Sequence, residues 1–212
     1  REELEKLGKE MPFWDRTIDL IILTHPERDH MAGLLEVLKR YKVENILWTG
    51  VLRDTAEYRE WEKLIKEEKA NIFIAISGLR IFGGHDPAKA GSDLVVLYPF
   101  ESLEGNVKKN SNDTSIVASL TFGQTSFLFT GDAPKSVEGQ LRRTSELDSD
   151  VLKVGHHGSK TSTSQEFIEA VSPEIAVISV GKDNSYGHPH PETLINLADA
   201  KILRTDLSGD IK

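Results

Sequence analysis

Apolar positions along the chain fall into two rhythms, short solid runs and longer stretches with helical spacing, which together predict strands interleaved with helices. The run that starts at Leu20 in LIILTHPERDH predicts a parallel strand buried on both faces. It stops at His25, Asp29 and His30, and Pro26 predicts a loop that lets these three side chains converge. A helical pattern then begins at Met31 and carries Leu34, Leu35, Val37 and Leu38, and residues 45–49 predict the next short strand. Residues 56–70 predict an amphipathic helix with Tyr58, Trp61 and Ile65 on its apolar stripe and its charges on a solvated face. Before all of this, residues 1–10 read as the end of a helix with Leu4 and Leu7 on one side.

Strands are expected at 71–76, 79–82 and 93–98, and His85 falls in a Gly/Asp/Pro-rich connection that marks it as a surface histidine. Residues 101–112 are polar and predict a loop. The β-rich runs 115–122 and 126–130, split by Gly123 and Gln124, predict a hairpin. Helices are expected at 134–143, 165–171 and 191–200, alternating with strands at 151–154, 174–180 and 202–205. No repeat, low-complexity tract or linker interrupts the pattern, so the expectation is one domain over residues 1–212.

Composition changes this picture in three ways. The chain has 212 residues and no cysteine, so any metal must be held by His, Asp, Glu and water. A formal net charge of −8 argues against a broad basic face for nucleic acid, although carboxylates gathered around cations form a positive centre once metallated. No apolar run approaches the roughly 20 residues that span a bilayer, and the opening at Arg1 carries no signal peptide and predicts a piece of something larger.

Candidate chemistry clusters where strands end. Besides His25, Asp29 and His30, FLFTGD ends at Asp132, VLKVGHHGS at His156 and His157, and the run from Ala176 reaches His188 and His190 in YGHPH. All seven histidines except His85 lie in these loops, and loops after successive strands can meet at one sheet edge. Each stretch alone has a plainer reading: Asp29 as a helix cap, Ser159 and Lys160 as part of a cap before Gln165, Pro189 and Pro191 as a turn and helix start, and Asn112, Asp113 and Ser115 as an Asx turn. The functional readings are Ser159 and Lys160 on a phosphate, with Asn184, Tyr186 and His188 placing substrate or protonating a leaving group. His190 is the weaker candidate of its pair.

The motifs THPERDH, FTGDA, GHHGS and YGHPHPE together resemble the metallo-β-lactamase superfamily, and more closely the C-terminal domain of the ComEC family of competence DNA-uptake channels. The resemblance covers the chain from about Asp19 onward. It implies an αββα sandwich, lacking here the opening strands and their LDVGQGD-like segment, where the alternating pattern alone would also permit a doubly wound sheet. The superfamily's usual HxHxDH has a histidine where this chain has Glu27, a variation that resembles the ComEC-like branch.

A hydrolytic centre needs ligands that hold one or two cations and leave a position open for water. His25, His30 and one or both of His156 and His157 can supply imidazole, Asp29 can ligate or orient the water, and Asp132 can bridge two ions. This set suits Mn²⁺ or Zn²⁺, with Mg²⁺ as a further candidate. The expectation is a nuclease with Asp29, Asp132 and His188 in the chemical steps, acting on single-stranded DNA. The resemblance places it on the extracytoplasmic face of the membrane, fused or docked to a channel domain; a stand-alone hydrolase would be cytoplasmic. The competing expectations are a small-molecule hydrolase for a phosphocholine ester, thioester or lactone, which the acidic balance favours slightly, and an inactive metal-binding or gating module.

Overall fold

The computed structural model describes residues 2–84 and 91–211, with side chains described from Leu4 onward; His85 lies outside them. The fold is mixed α/β, with two sheets. Cα packing divides the chain into two compact units, 1–75 with 102–114, and 76–101 with 115–212.

The first unit opens with α1 (Glu2–Glu10) and then alternates β1 (Thr17–Ile22), α2 (Arg28–Leu38), β2 (Lys42–Trp48), α3 (Ala56–Glu68) and β3 (Asn71–Ile74). Its strands pair in parallel in the order β1-β2-β3. Met31, Leu35, Val37 and Leu38 of α2 and Tyr58, Trp61, Leu64 and Ile65 of α3 pack with Ile21, Val43, Ile46 and Trp48 of the sheet, which is where the helical spacing of those residues pointed. Two expectations change here. The β1 run is fully buried on one face and half-buried on the other: Ile21 and Leu23 are buried, while Leu20 and Ile22 are intermediate. Nor do Asp29 and His30 sit in a loop: α2 starts at Arg28, because the Glu27 carbonyl accepts the amides of His30 at 3.1 Å and Met31 at 2.9 Å. Asp29 then lies in the first turn, where a carboxylate suits the helix dipole.

The second unit contains β4 (Arg80–Gly83), β5 (Ser92–Tyr98), β6 (Val117–Phe122), β7 (Thr125–Phe129), α4 (Lys135–Thr144), β8 (Val151–Lys153), α5 (Gln165–Val171), β9 (Ile175–Ile178), α6 (Pro191–Asn196), β10 (Lys201–Arg204) and α7 (Thr205–Ser208). The sheet order is β10-β9-β8-β7-β6-β5-β4, parallel from β10 to β7 and antiparallel from β7 to β4. Leu128, Leu152, Ala176 and Ile178 of the sheet pack with Val137 and Leu141 of α4 and Phe167, Ile168 and Val171 of α5. Five of these elements end earlier than the pattern predicts, β7 at Phe129, β8 at Lys153 and β9 at Ile178 among them. The α6 helix stops at Asn196, and β10 stops at Arg204, whose guanidinium donates forward to Asp206 in the first turn of α7.

The consequence for chemistry is topological. Since β7, β8 and β9 run parallel as neighbours, the loops after them leave one edge of the second sheet together. In the first unit, the loops after β1 and β2 do the same.

Candidate metal centre

In the first unit, the start of α2 brings His30 back toward His25, which lies just before it. The two imidazole rings are 4.2 Å apart between centroids and tilted by 50°. His25 is buried, and its Nδ1 lies 3.1 Å from Thr24 Oγ1. Asp29 is more exposed, with Oδ2 3.8 Å from His30 Nε2. Glu27, between them, is engaged elsewhere: its Oε1 accepts from Arg53 Nη2 at 2.5 Å and from Ser111 Oγ.

In the second unit, Asp132 is 4% exposed and has Oδ2 3.7 Å from His156 Nε2 and 3.9 Å from His157 Nε2. The Asp132 amide donates to the buried Ser115 Oγ at 3.0 Å, so Ser115 orients the loop that carries the carboxylate. His156 and His157 both have left-handed backbones, with φ of 48° and 54°. Such a conformation costs an ordinary residue on the order of 1–2 kcal/mol and persists only where the surroundings impose it. Here His156 N donates to Gly131 O at 3.1 Å. The rings are fixed through their second nitrogens, with His156 Nδ1 3.0 Å from Thr161 Oγ1 and His157 Nδ1 2.8 Å from the Ser179 carbonyl.

Gly158 explains why GHHGS and YGHPHPE occur together. Its φ is +85°, a Cβ there would stand 2.6 Å from Pro189 Cβ, and its carbonyl accepts the His190 amide at 2.8 Å. The 181–190 loop therefore docks against the His156–His157 turn. His188 stacks edge-on to His156 at 5.8 Å, and Tyr186 lies over His188 at 5.8 Å with an interplanar angle of 19°. Burial, then the imidazoles of His156, His157 and His190, hold the His188 pKa below the usual histidine range, against the opposing pull of Asp132.

The remaining candidates are placed as follows. Asn184 is occupied within its loop, donating to Gly181 O and His188 O and accepting from His188 N. Ser159 is buried and holds Thr161 Oγ1 at 3.0 Å, while Lys160 is exposed. Neither caps α5. Asn112 and Asp113 form a single helical turn in the first unit, where Asp113 accepts from Asn110.

Four residues that the sequence reading passed over matter here. Arg53 and Ser111 hold Glu27, Ser179 holds His157, and Glu138 anchors the 158–164 loop. The Glu138 carboxylate is 2% exposed, and it accepts from the amides of Thr163 and Ser164 and from Ser164 Oγ at 2.8 Å. Burial pushes its pKa up, against the pull of those donors. A signal for it was present, since Glu138 lies between Val137 and Leu141 on the apolar face of α4.

The donor set fits a divalent cation: imidazole nitrogens beside a carboxylate, with the second ring nitrogens engaged by protein oxygens, as histidine ligands of metals commonly are. The family model of the Metallo-beta-lactamase superfamily matches residues 15–182. The chain belongs to the metallo-beta-lactamase superfamily. It is 32% identical over 207 residues to ComE operon protein 3 of Bacillus subtilis (strain 168), covering 93% of this chain and 24% of that protein. It is 33% identical over 204 residues to competence protein ComA of Neisseria gonorrhoeae, covering 93% of this chain and 25% of that one. The chain thus spans about a quarter of the length of the curated relatives it matches. Among solved structures, the metallo-beta-lactamase fold protein YhfI from Bacillus subtilis superposes with a TM-score of 0.59 at 12% identity, covering 95% of this chain and 79% of that one, a likeness of fold. Within this superfamily, the departure at Glu27 coincides with a carboxylate tied to Arg53 and Ser111.

Proposed function

We propose that the chain is a metal-dependent phosphodiesterase that degrades single-stranded DNA during DNA uptake in natural competence. The observation that carries the reading is the Asp132 carboxylate facing Nε2 of both His156 and His157, with each ring held from behind. Superfamily membership supports metal-dependent hydrolysis, and the names of the relatives, a competence protein among them, support the DNA-uptake setting. The proposed ligands are His25, Asp29, His30, Asp132, His156 and His157, taken together as the family resemblance implies, for one or two ions of Mn²⁺ or Zn²⁺, with Mg²⁺ as the further candidate. A divalent ion held by such ligands lowers the pKa of water toward neutrality and offsets charge on a phosphate.

The chain's own residues supply the rest. Thr161 and the Ser179 carbonyl keep the two imidazoles turned so that Nε2 is presented toward Asp132. With its pKa lowered, His188 is neutral at physiological pH and acts as an N–H donor to the leaving oxygen, and its Nδ1 is buried without a hydrogen-bond partner among the described residues. Exposed Tyr186, stacked on His188, offers a flat surface for a base, and Lys160 offers a cation for phosphate. Asn184 shapes the loop that carries both rings.

The reading as one domain is part of the proposal, supported by a single family model that matches 15–182. The chain's share of its relatives' length is compatible with a domain of a longer protein, and the family resemblance implies one fused or docked to a membrane channel on the extracytoplasmic face. Among the described residues no helix is long and apolar enough to cross a membrane. The net charge of −8 favours a second reading, hydrolysis of a small ester that needs no basic track.

Incubating the chain with labelled single-stranded DNA and Mn²⁺, beside His30→Ala and Asp132→Ala, tests the choice. The nuclease reading expects degradation by the wild type alone. Intact DNA in all samples, with a chromogenic phosphodiester cleaved only by the wild type, decides for the small-molecule reading.

A further inference from the structure

Between His25 and Asp29, the residue at position 27 is a glutamate whose two kinds of contact, backbone and side chain, point in different directions. Its amide donates to the His25 carbonyl at 3.0 Å, and its carbonyl accepts the amides of His30 and Met31, so its backbone links the main chain of the two histidines of the first unit. Its carboxylate meets Arg53, which comes from the loop after β2, and Ser111, which is 2% exposed and comes from the 102–114 segment. The Arg53 Nη1 also donates to the Lys108 carbonyl at 3.2 Å. These segments are distant in sequence, and the parallel pairing of β1 with β2 is what brings the first two to the same sheet edge.

We propose that Glu27 is a positioning residue, clamped by Arg53 and Ser111, that holds His25 and His30 in ligand geometry while contributing no ligand itself. The inference rests on the metal-site reading above. Arg53 neutralises the carboxylate, and the charge-assisted hydrogen bond at 2.5 Å gives the clamp direction as well as strength. Losing a partner of this kind shifts imidazoles that are 4.2 Å apart, and a ligand pair that must converge on one ion tolerates little movement. The clamp also answers what the superfamily's usual histidine is replaced by: an anchor that works from behind the ligands.

The test is Mn²⁺ titration of the full chain by calorimetry, with the melting temperature of the metal-free protein measured alongside. Glu27→Ala and Arg53→Ala are each expected to weaken binding by about tenfold, the lower end for residues that support metal ligands, and Ser111→Ala by less. The Glu27→Ala/Arg53→Ala double variant should bind no more weakly than the worse single one, since both break the same contact. Glu27→Gln keeps an oxygen acceptor and should recover part of the loss. Glu27→His supplies an imidazole but loses the clamp, so it should bind as weakly as Glu27→Ala. Variants that melt lower yet bind Mn²⁺ as the wild type does show a merely structural role and overturn the inference. So do additive losses, or tighter binding by Glu27→His, which would make position 27 a ligand position. A wild-type chain that binds no ion overturns both this inference and the metal-site reading.

Discussion

The two units present their histidines in opposite ways. In the first, His25 and His30 belong to one short segment, and the geometry depends on a long-range side-chain clamp through Glu27, Arg53 and Ser111. In the second, Asp132 and the His156–His157 pair come from loops after two neighbouring parallel strands, and their support lies close at hand: Ser115, Thr161, Ser179 and the Gly158–Pro189 contact. His25 and His30 flank a single helix start, so their side chains take outside anchoring from other segments. Asp132, His156 and His157 follow paired parallel strands that already set their direction, and local hydrogen bonds complete the arrangement.

The largest effect should come from Asp132→Ala, which removes the carboxylate that both imidazoles face. Phosphodiesterase activity is expected to fall by about a thousandfold or more, as when one member of a group acting as a unit is lost. Retained activity in a steady-state assay would remove Asp132 from the centre. Next comes Glu138→Ala, which leaves the buried Thr163 amide and the Ser164 amide without their acceptor and should destabilise the chain by about 3 kcal/mol in urea unfolding. Leu128→Ala, in the second core, is expected to cost about the same and provides a packing reference that leaves the 158–164 loop alone.

Smaller changes sharpen the contrast between the units. Thr161→Val removes the hydroxyl behind His156 and should weaken metal binding by about tenfold, and Thr24→Val does the same for His25. If Thr24→Val alone is silent in a metal titration, the first cluster depends wholly on its clamp.

The smallest effect is on pH dependence. The folded-state pKa of His188 lies below its unfolded value, so on acidification the unfolded chain takes up the proton first. The stability linked to His188 is therefore present above an ordinary imidazole pKa of about 6.5 and is lost as pH falls through it. Melting temperatures of wild type and His188→Gln should converge between pH 7.5 and 5.5 if the shift is as described, whereas a constant gap would show that His188 does not titrate differently on folding.

By itself the sequence determined which segments could be strands and helices, and which of them end in ligand-capable residues. The apolar stripe of α3, the β6–β7 hairpin and the bounds of α5 were legible because they depend on spacing within a few residues. The positions of Asp132, His156, His157 and His188 after apolar strands were legible for the same reason. What only the tertiary structure decided was who holds whom. Glu27 looked like a departure from a ligand motif, and its Arg53 and Ser111 partners come from elements brought near by strand order, which local periodicity does not encode. Glu138 on the apolar face of α4 and Ser115 behind Asp132 are of the same kind. The early start of α2 at Arg28 also belongs here, because the Glu27 carbonyl that begins it is attached to a side chain clamped from two other segments. Hydrophobic spacing sets an element's existence, and the side-chain partners that fix its ends and aim its ligands are chosen by segments far away in the chain.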